Sequence, residues 1–227
     1  MTPRVRPDHA VADQRGGPQS ARVTSPFDMN EPLLRLFLVR HGETAWSMTG
    51  QHTGTTDLPL TEHGEEQARA LAPALASIGF TRVLSSPRLR AHRTCELTGL
   101  GARAEIEPDL AEWDYGEYEG LRTADVRETR PGWTVYRDGC PGGEMPDDVA
   151  ARADRLIARL ASTTGNIAVF GHGQFSTILA ARWIGLPPLV AQHLMLDPAT
   201  LSILGHKHSD PTLRVITLWN APPARTS

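Results

Sequence analysis

The sequence has few cysteines and no long apolar run, and both absences limit what the chain can be. Among its 227 residues there are two cysteines, Cys95 and Cys140, which lie far apart and lack the spacing of a metal-binding or redox pair. We therefore predict two free thiols, as in a reducing cytosol, rather than a disulfide. No stretch approaches the ~20 apolar residues of a membrane-spanning helix, and the first residues lack the apolar core of a signal peptide. These features predict a soluble, cytoplasmic protein with no membrane partner.

A large excess of charge is also missing. The formal net charge is −3 at pH 7, so the chain lacks the basic excess that is typical of proteins that bind nucleic acids or anionic membranes. Apolar residues make up 40% of the chain, which is enough to form a sizeable core in one domain of catalytic size. We expect a small-molecule partner and no nucleic acid; a homodimer is compatible with this composition.

The composition divides the chain into three parts. Residues 1–32 contain five prolines and a Gly-Gly pair without hydrophobic periodicity, which predicts a disordered N-terminal extension. The composition of residues 221–227 predicts a similarly loose tail. Residues 33–220 should form the domain.

Within the domain, apolar runs alternate with amphipathic segments. Thr61 looks like the N-cap of a helix over 62–79, and further helices are predicted after Ser86-Pro87, over 147–162 and over 174–186. Strands separated by helices predict a three-layer α/β/α sandwich with a mainly parallel central sheet. The predicted strands cover 33–39, 81–86, 104–108, 166–171, and the two C-terminal runs TLSILGHK and LRVITLWN.

The carboxyl ends of the predicted strands carry the residues that could do chemistry. In sheets of this kind, sites form at those ends, which here are Arg40-His41-Gly42, Ser85 to Arg90, and Gly171-His172-Gly173. Arginine forks suit the recognition of phosphate or carboxylate. A neutral imidazole among such cations can act as a nucleophile toward phosphorus, and the cations can stabilise the transition state without a metal.

Phosphoryl transfer from an ester also needs a proton donor for the departing oxygen. The stretch LAEWDYGEYEGL offers Glu112, Asp114, Glu117 and Glu119. Burial beside aromatic rings would raise the pKa of one of these carboxyl groups and keep it protonated. The residues alone leave open which carboxyl group acts.

Five motifs together resemble a known family. LVRHGETAW, TGTTDLPLTEHGEEQA, SSPRLRAHRT, LAEWDYGEYEGL and VFGHGQF occur in the order seen in the histidine phosphatase (phosphoglycerate mutase-like) superfamily, over about residues 34–219. The resemblance implies an α/β/α sandwich with a small cap over the site, which we place at 113–146.

The resemblance also implies roles for individual residues. His41 matches the phosphorylated nucleophile and Glu112 matches the proton donor. The phosphate pocket is completed by Arg40, Arg90 and His172. Substrate contacts are expected from Ser47, Thr53, Gly54 and Gln174. From the sequence itself we expect Tyr115 to wall the pocket and Arg137 to face it. The other histidines are expected to be on the surface or satisfied by partners; they are His9, His52, His63, His92, His193, His206 and His208.

The implied function is a metal-independent phosphatase without a cofactor, which hydrolyses phosphate monoesters of small metabolites, sugar phosphates or related compounds, through a phosphohistidine. Parts of the chain are similar to the fungal sedoheptulose-bisphosphatase type, and others to actinobacterial broad-specificity acid phosphatases, although relatives of both kinds often carry His at Gln174. The alternatives are a cofactor-primed phosphoglycerate mutase and an inactive regulatory module. Mutases of this family carry Asn where Ser47 stands and a longer insertion, which favours hydrolysis here.

Overall fold

A computed structural model describes Met1 and residues 33–223 of the chain. The extension predicted for 1–32 and the tail predicted for 221–227 therefore lie outside the described residues, apart from Met1 and 221–223. Among the described helices, none combines the length and the apolarity that crossing a membrane requires.

The described residues form one mixed sheet of six strands in the order β3-β2-β4-β1-β5-β6. Neighbouring strands from β3 to β1 pair in parallel, and the last two strands join antiparallel. The mainly parallel sheet predicted from the sequence is thus confirmed. The strands are β1 (Arg35–Arg40), β2 (Phe80–Ser85), β3 (Ala104–Ile106), β4 (Asn166–Gly171), β5 (Leu201–Lys207) and β6 (Asp210–Ala221).

Helices occupy the connections between the strands. Thr61 caps the second helix, because its side chain accepts a hydrogen bond from the Gly64 N–H, as the sequence predicts. The helix predicted to run to residue 79 ends at Ala76. The helices are α1 (Ala45–Thr49), α2 (Glu62–Ala76), α3 (Leu89–Leu97), α4 (Thr123–Thr129), α5 (Val135–Asp138), α6 (Pro146–Leu160) and α7 (Gly173–Trp183).

The sheet has a buried core on each face. Along β1, Leu36 and Leu38 enter one core and Phe37 and Val39 enter the other, because successive strand residues point to opposite faces. The first core also receives the apolar residues of α6 and α7, and the second receives those of α2 and α3. Helices therefore cover both faces, which gives the three predicted layers.

The segment predicted as a cap, 113–146, contains α4, α5 and a short 3₁₀ helix at Gly116–Tyr118. Its apolar residues, among them Trp113 and Trp133, are buried in the same core as α6 and α7. Cys140 in this segment and Cys95 on α3 are both buried free thiols, as predicted.

The strand register brings three chain segments to one edge of the sheet. Arg40, the last residue of β1, pairs with Gly171, the last residue of β4. The His41 N–H donates to the Gly171 carbonyl at 3.0 Å, and the Ser86 N–H donates to the Phe170 carbonyl at 2.9 Å. The residues that follow β1, β2 and β4 therefore start from adjacent positions.

The end of β1 approaches the first turn of α2 so closely that there is no room for a side chain. A Cβ atom on Gly42 would lie 2.2 Å from the Gly64 carbonyl oxygen. This close contact sets the distance between the backbone at Gly42 and the first turn of α2.

We predict that Gly42→Ala destabilises the fold by about 1–3 kcal/mol, because backbone atoms on both sides would have to separate. The measurement is the midpoint of thermal or urea unfolding. Gly79→Ala is the matched control, since a Cβ there meets nothing within 4 Å. Equal midpoints for Gly42→Ala and the parent protein would contradict the prediction.

Candidate active site

His41 is buried, and its ring orientation is fixed. Its Nδ1 lies 2.7 Å from the Gly42 carbonyl oxygen, which has no proton to donate, so Nδ1 must carry the proton of this hydrogen bond. The lone pair of the neutral ring is therefore on Nε2. Burial, together with the positive charges of Arg90 and Arg40, holds the pKa of His41 well below 6.5. The result is a neutral, oriented imidazole, as a nucleophile requires.

His172 lies beside it, with the two ring centroids 5.3 Å apart. It is fully buried, and its Nε2 is 2.7 Å from the Ser86 hydroxyl oxygen. That oxygen also accepts the Arg88 N–H; we assign its own proton to the bond with Nε2, and this assignment leaves the ring proton of His172 on Nδ1. Burial and the neighbouring Arg90 lower the pKa of His172 well below 6.5. Nδ1 is buried with no partner among the described residues, so its proton is free for a bound anion.

Two arginines supply the positive charge of the site. Arg40 donates to the Leu196 carbonyl, and Arg90 donates to the carbonyls of Thr53 and Thr56 at 2.8 and 3.0 Å. Burial lowers the pKa of both guanidinium groups, although each stays charged near neutrality. Within the part of the chain that the structure describes, neither forms a salt bridge with a carboxylate, and each Nε is buried without a partner.

The loop 53–56 is held from two sides. Arg90 bonds to its carbonyl oxygens, and the carboxylate of Glu119 accepts the N–H groups of Gly54 and Thr56 at 2.9 and 3.0 Å. A Cβ atom at Gly54 would lie 2.2 Å from the Trp113 carbonyl oxygen. The loop is thus clamped by a cation and a carboxylate, and Gly54 is required there for close packing.

Glu112 is held at the start of α7. One carboxylate oxygen accepts the N–H groups of Trp113 and Phe175 at 2.9 and 2.8 Å, and the other accepts the Gln174 N–H at 3.0 Å. His172, the N-cap residue of α7, makes no side-chain cap, so Glu112 satisfies helix N–H groups that would otherwise lack partners.

Arg152 on α6 supports the segment that carries Glu112. Its guanidinium donates to the carbonyls of Asp109 and Ala111, pairs with Glu144 at 2.7 Å, and stacks 4.9 Å from the ring centroid of Phe175. Glu144 in turn accepts the Asp114 N–H. The proton-donor candidate therefore rests on a rigid network.

A cavity of about 170 Å³ opens over this site. Of the residues predicted from the sequence, it brings together His41, Arg40, Glu112, Ser47, Thr53, Tyr115 and Gln174. Arg90 and His172 are fully buried and do not line the cavity. Beside burial, the positive charge of Arg90 lowers the pKa of both His41 and His172. Of the four candidate carboxyl groups, Glu112 is the one in the lining.

Two predicted substrate contacts are placed elsewhere. Gly54 is absent from the cavity lining, and its N–H is used by Glu119. Arg137 pairs with its neighbour Asp138 at 2.8 Å and lines a separate cavity near Pro187. The expectation that Arg137 faces the site does not agree with this geometry, because the adjacent carboxylate and the Gly132 carbonyl hold its guanidinium away.

Four lining residues were not singled out by the sequence: Gly50, Gln51, His52 and Thr123. His52 was expected to be a partner-satisfied histidine, and its ring does stack on Tyr115 with centroids 4.6 Å apart. Its position next to Thr53 in the chain is the signal that could have placed it at the site. Thr123 gave no signal, because a contact across 71 residues brings it to His52.

No group of three or more His, Cys, Asp or Glu residues that could hold a metal ion occurs among residues 33–223.

Comparison with known proteins agrees with this geometry. The sequence profile described as histidine phosphatase superfamily (branch 1) matches residues 36–219. An acid phosphatase of Mycobacterium tuberculosis is 39% identical over 192 residues, which cover 83% of this chain and 94% of that protein. A sedoheptulose 1,7-bisphosphatase of Saccharomyces cerevisiae is 36% identical over 184 residues, covering 67% and 68%.

A solved structure of an open reading frame product from Mycobacterium tuberculosis superposes with a TM-score of 0.79 at 36% identity, covering 84% of this chain and 98% of the other. The chain belongs to the histidine phosphatase superfamily (branch 1) and is, as predicted, a phosphoric monoester hydrolase.

Proposed function

We propose that the protein hydrolyses phosphate monoesters of small metabolites, sugar phosphates or related compounds, by a metal-independent route through a phosphohistidine on His41. The observation that carries the proposal is the His41 ring, which is neutral, fixed by the Gly42 carbonyl and exposed to the cavity beside Arg40. The named phosphatase relatives support the same class of reaction.

In the first step, the Nε2 lone pair of His41 attacks phosphorus and the ester P–O bond breaks. Arg40, Arg90 and the Nδ1–H of His172 stabilise the three equatorial oxygens of the transferring group, as a loose transition state requires. Glu112 gives a proton to the departing alkoxide oxygen. The products of this step are the free alcohol and phosphohistidine.

In the second step, water attacks the same phosphorus and the P–N bond breaks. Glu112, now a carboxylate, accepts a proton from the attacking water. Inorganic phosphate leaves, and His41 regains its neutral ring. The lining residues Ser47, Thr53, Tyr115 and Gln174 bind the substrate during both steps.

We predict a transient phosphoryl group on His41 that forms in the presence of a chelator, since the proposed charge stabilisation comes from side chains. Rapid quench with radiolabelled substrate and excess EDTA should trap label that acid releases and base preserves. His41→Ala should abolish both the label and turnover. Acid-stable label, or a requirement for added metal, would refute the scheme.

A second prediction concerns the proton donor. A sugar alkoxide is a poor leaving group that needs a proton in the transition state, whereas nitrophenolate needs little help. Glu112→Ala should lower kcat/KM for a sugar phosphate by ~10²–10⁴-fold and for nitrophenyl phosphate far less. The parameter kcat/KM is the one to compare, because it reports steps only up to phosphorylation.

The matched control is Asp114→Asn. Its carboxylate accepts the Gly116 N–H and does not line the cavity, so both substrates should respond alike. If Glu112→Ala slows both substrates equally, Glu112 acts by holding the start of α7 and not as the acid.

Ser86 should act as a positioning residue for His172. We expect Ser86→Ala to lower kcat/KM about tenfold, because a buried ring nitrogen left without a partner costs roughly 1–3 kcal/mol. Nitrogen NMR of the imidazoles should show His172 losing its single Nδ1–H tautomer. Ser86→Thr should restore both. Ser85→Ala is the control, because the Ser85 hydroxyl donates to a backbone carbonyl; an equal loss there would contradict the assignment.

A further inference from the structure

The charges of the cavity are concentrated at one end. Among the described residues that line it, Arg40 is the one arginine, no lysine is present, and Glu112 is the one acidic residue. Arg40 directly precedes His41 in the chain, so the positive charge belongs to the phosphate end. The remaining polar lining consists of uncharged hydroxyl, amide and imidazole groups, from Ser47, Gln51, His52, Thr53, Thr123 and Gln174.

His52 adds no charge at neutral pH. Burial lowers its pKa to about 4, although the carboxylate of Glu119 opposes the shift. The ring stacks on Tyr115, whose own pKa burial raises well above 10, and its Nε2 is 3.3 Å from the Thr123 hydroxyl oxygen. At neutral pH, His52 and Tyr115 therefore offer uncharged hydrogen-bonding groups to a ligand. The nearby charged group is the carboxylate of Glu119.

Arg122 and Arg137 could be expected to bind a second anionic group, but each is paired with a carboxylate. Arg122, which precedes Thr123, donates two hydrogen bonds to the Asp125 carboxylate at 2.7 and 3.0 Å. Arg137 pairs with Asp138. Neither lines the cavity. A second anionic group on a ligand would have to give up water without meeting a cation, which is costly, whereas hydroxyl groups would find donors and acceptors.

We propose that the enzyme selects phosphate monoesters whose alcohol is uncharged and rich in hydroxyl groups, and discriminates against esters that carry a second phosphate or a carboxylate. This inference rests on the proposed phosphatase function and narrows its substrate class.

The test compares kcat/KM within matched pairs. Glycerol phosphate and phosphoglycerate differ by a hydroxymethyl group against a carboxylate, and fructose monophosphate and fructose bisphosphate differ by one phosphate. In each pair we expect kcat/KM to be at least about tenfold higher for the ester whose alcohol part carries no charge. This is the factor that one charge-assisted hydrogen bond provides.

A designed cation should offset the preference. Thr123→Lys places an ammonium group in the lining and should raise kcat/KM for phosphoglycerate, relative to glycerol phosphate, by about tenfold. Thr129→Lys introduces the same charge at the other end of α4, outside the cavity, and should leave the ratio unchanged.

The outcomes separate the two claims. Phosphate release from neither member of a pair, nor from nitrophenyl phosphate, would overturn the phosphatase function and this inference with it. Release from both members at equal rates, or faster from the anionic member, would overturn the substrate class alone. If Thr123→Lys unfolds, as judged by its melting temperature, the ratios of the parent enzyme still decide.

Discussion

Buried positive charge that forms no salt bridge within residues 33–223 is the constraint on which the site depends. Arg40 and Arg90 are taken out of water among backbone carbonyls, and a buried charge that lacks a counter-ion costs several kcal/mol. Burial, together with these charges, lowers the pKa of His41 and His172. The site therefore keeps both imidazoles neutral and leaves the place of the counter-ion to a ligand. A phosphoryl group is the anion that fits, because its oxygens can be shared among several donors.

The start of α7 connects the remaining parts of the site. Its N-cap is His172, and its free N–H groups are bound by the carboxylate of Glu112. A helix N-terminus stabilises negative charge, so Glu112 has a structural function whether or not it transfers a proton. Arg152 donates to the carbonyls of Ala111 and of Glu112 itself and so holds this segment in place: a displaced carboxylate would weaken the helix start as well as the chemistry.

The sequence predicts most of the framework because its signals are local. Apolar runs indicate the strands, Thr61 marks a helix start, and the residues that follow β1 and β4 belong to the strand ends where chemistry is expected. The cavity wall is different. His52 meets Thr123 and Tyr115 across more than sixty residues of chain, which include α2, β2, α3 and β3, and no local periodicity encodes such a contact. The misplacement of Arg137 has a local cause instead, since a carboxylate on the next residue captures its guanidinium.

The charged and the neutral groups of the cavity come from different parts of the fold. The groups proposed to bind phosphate lie at or just after strand ends, where the hydrogen bonds of the sheet fix the chain. The groups that would meet the alcohol come from the 47–53 stretch and the start of α4, where a side chain can change without disturbing the sheet. Substitutions at positions such as Thr123 can therefore alter which ester is accepted while the pair of imidazoles and arginines stays the same.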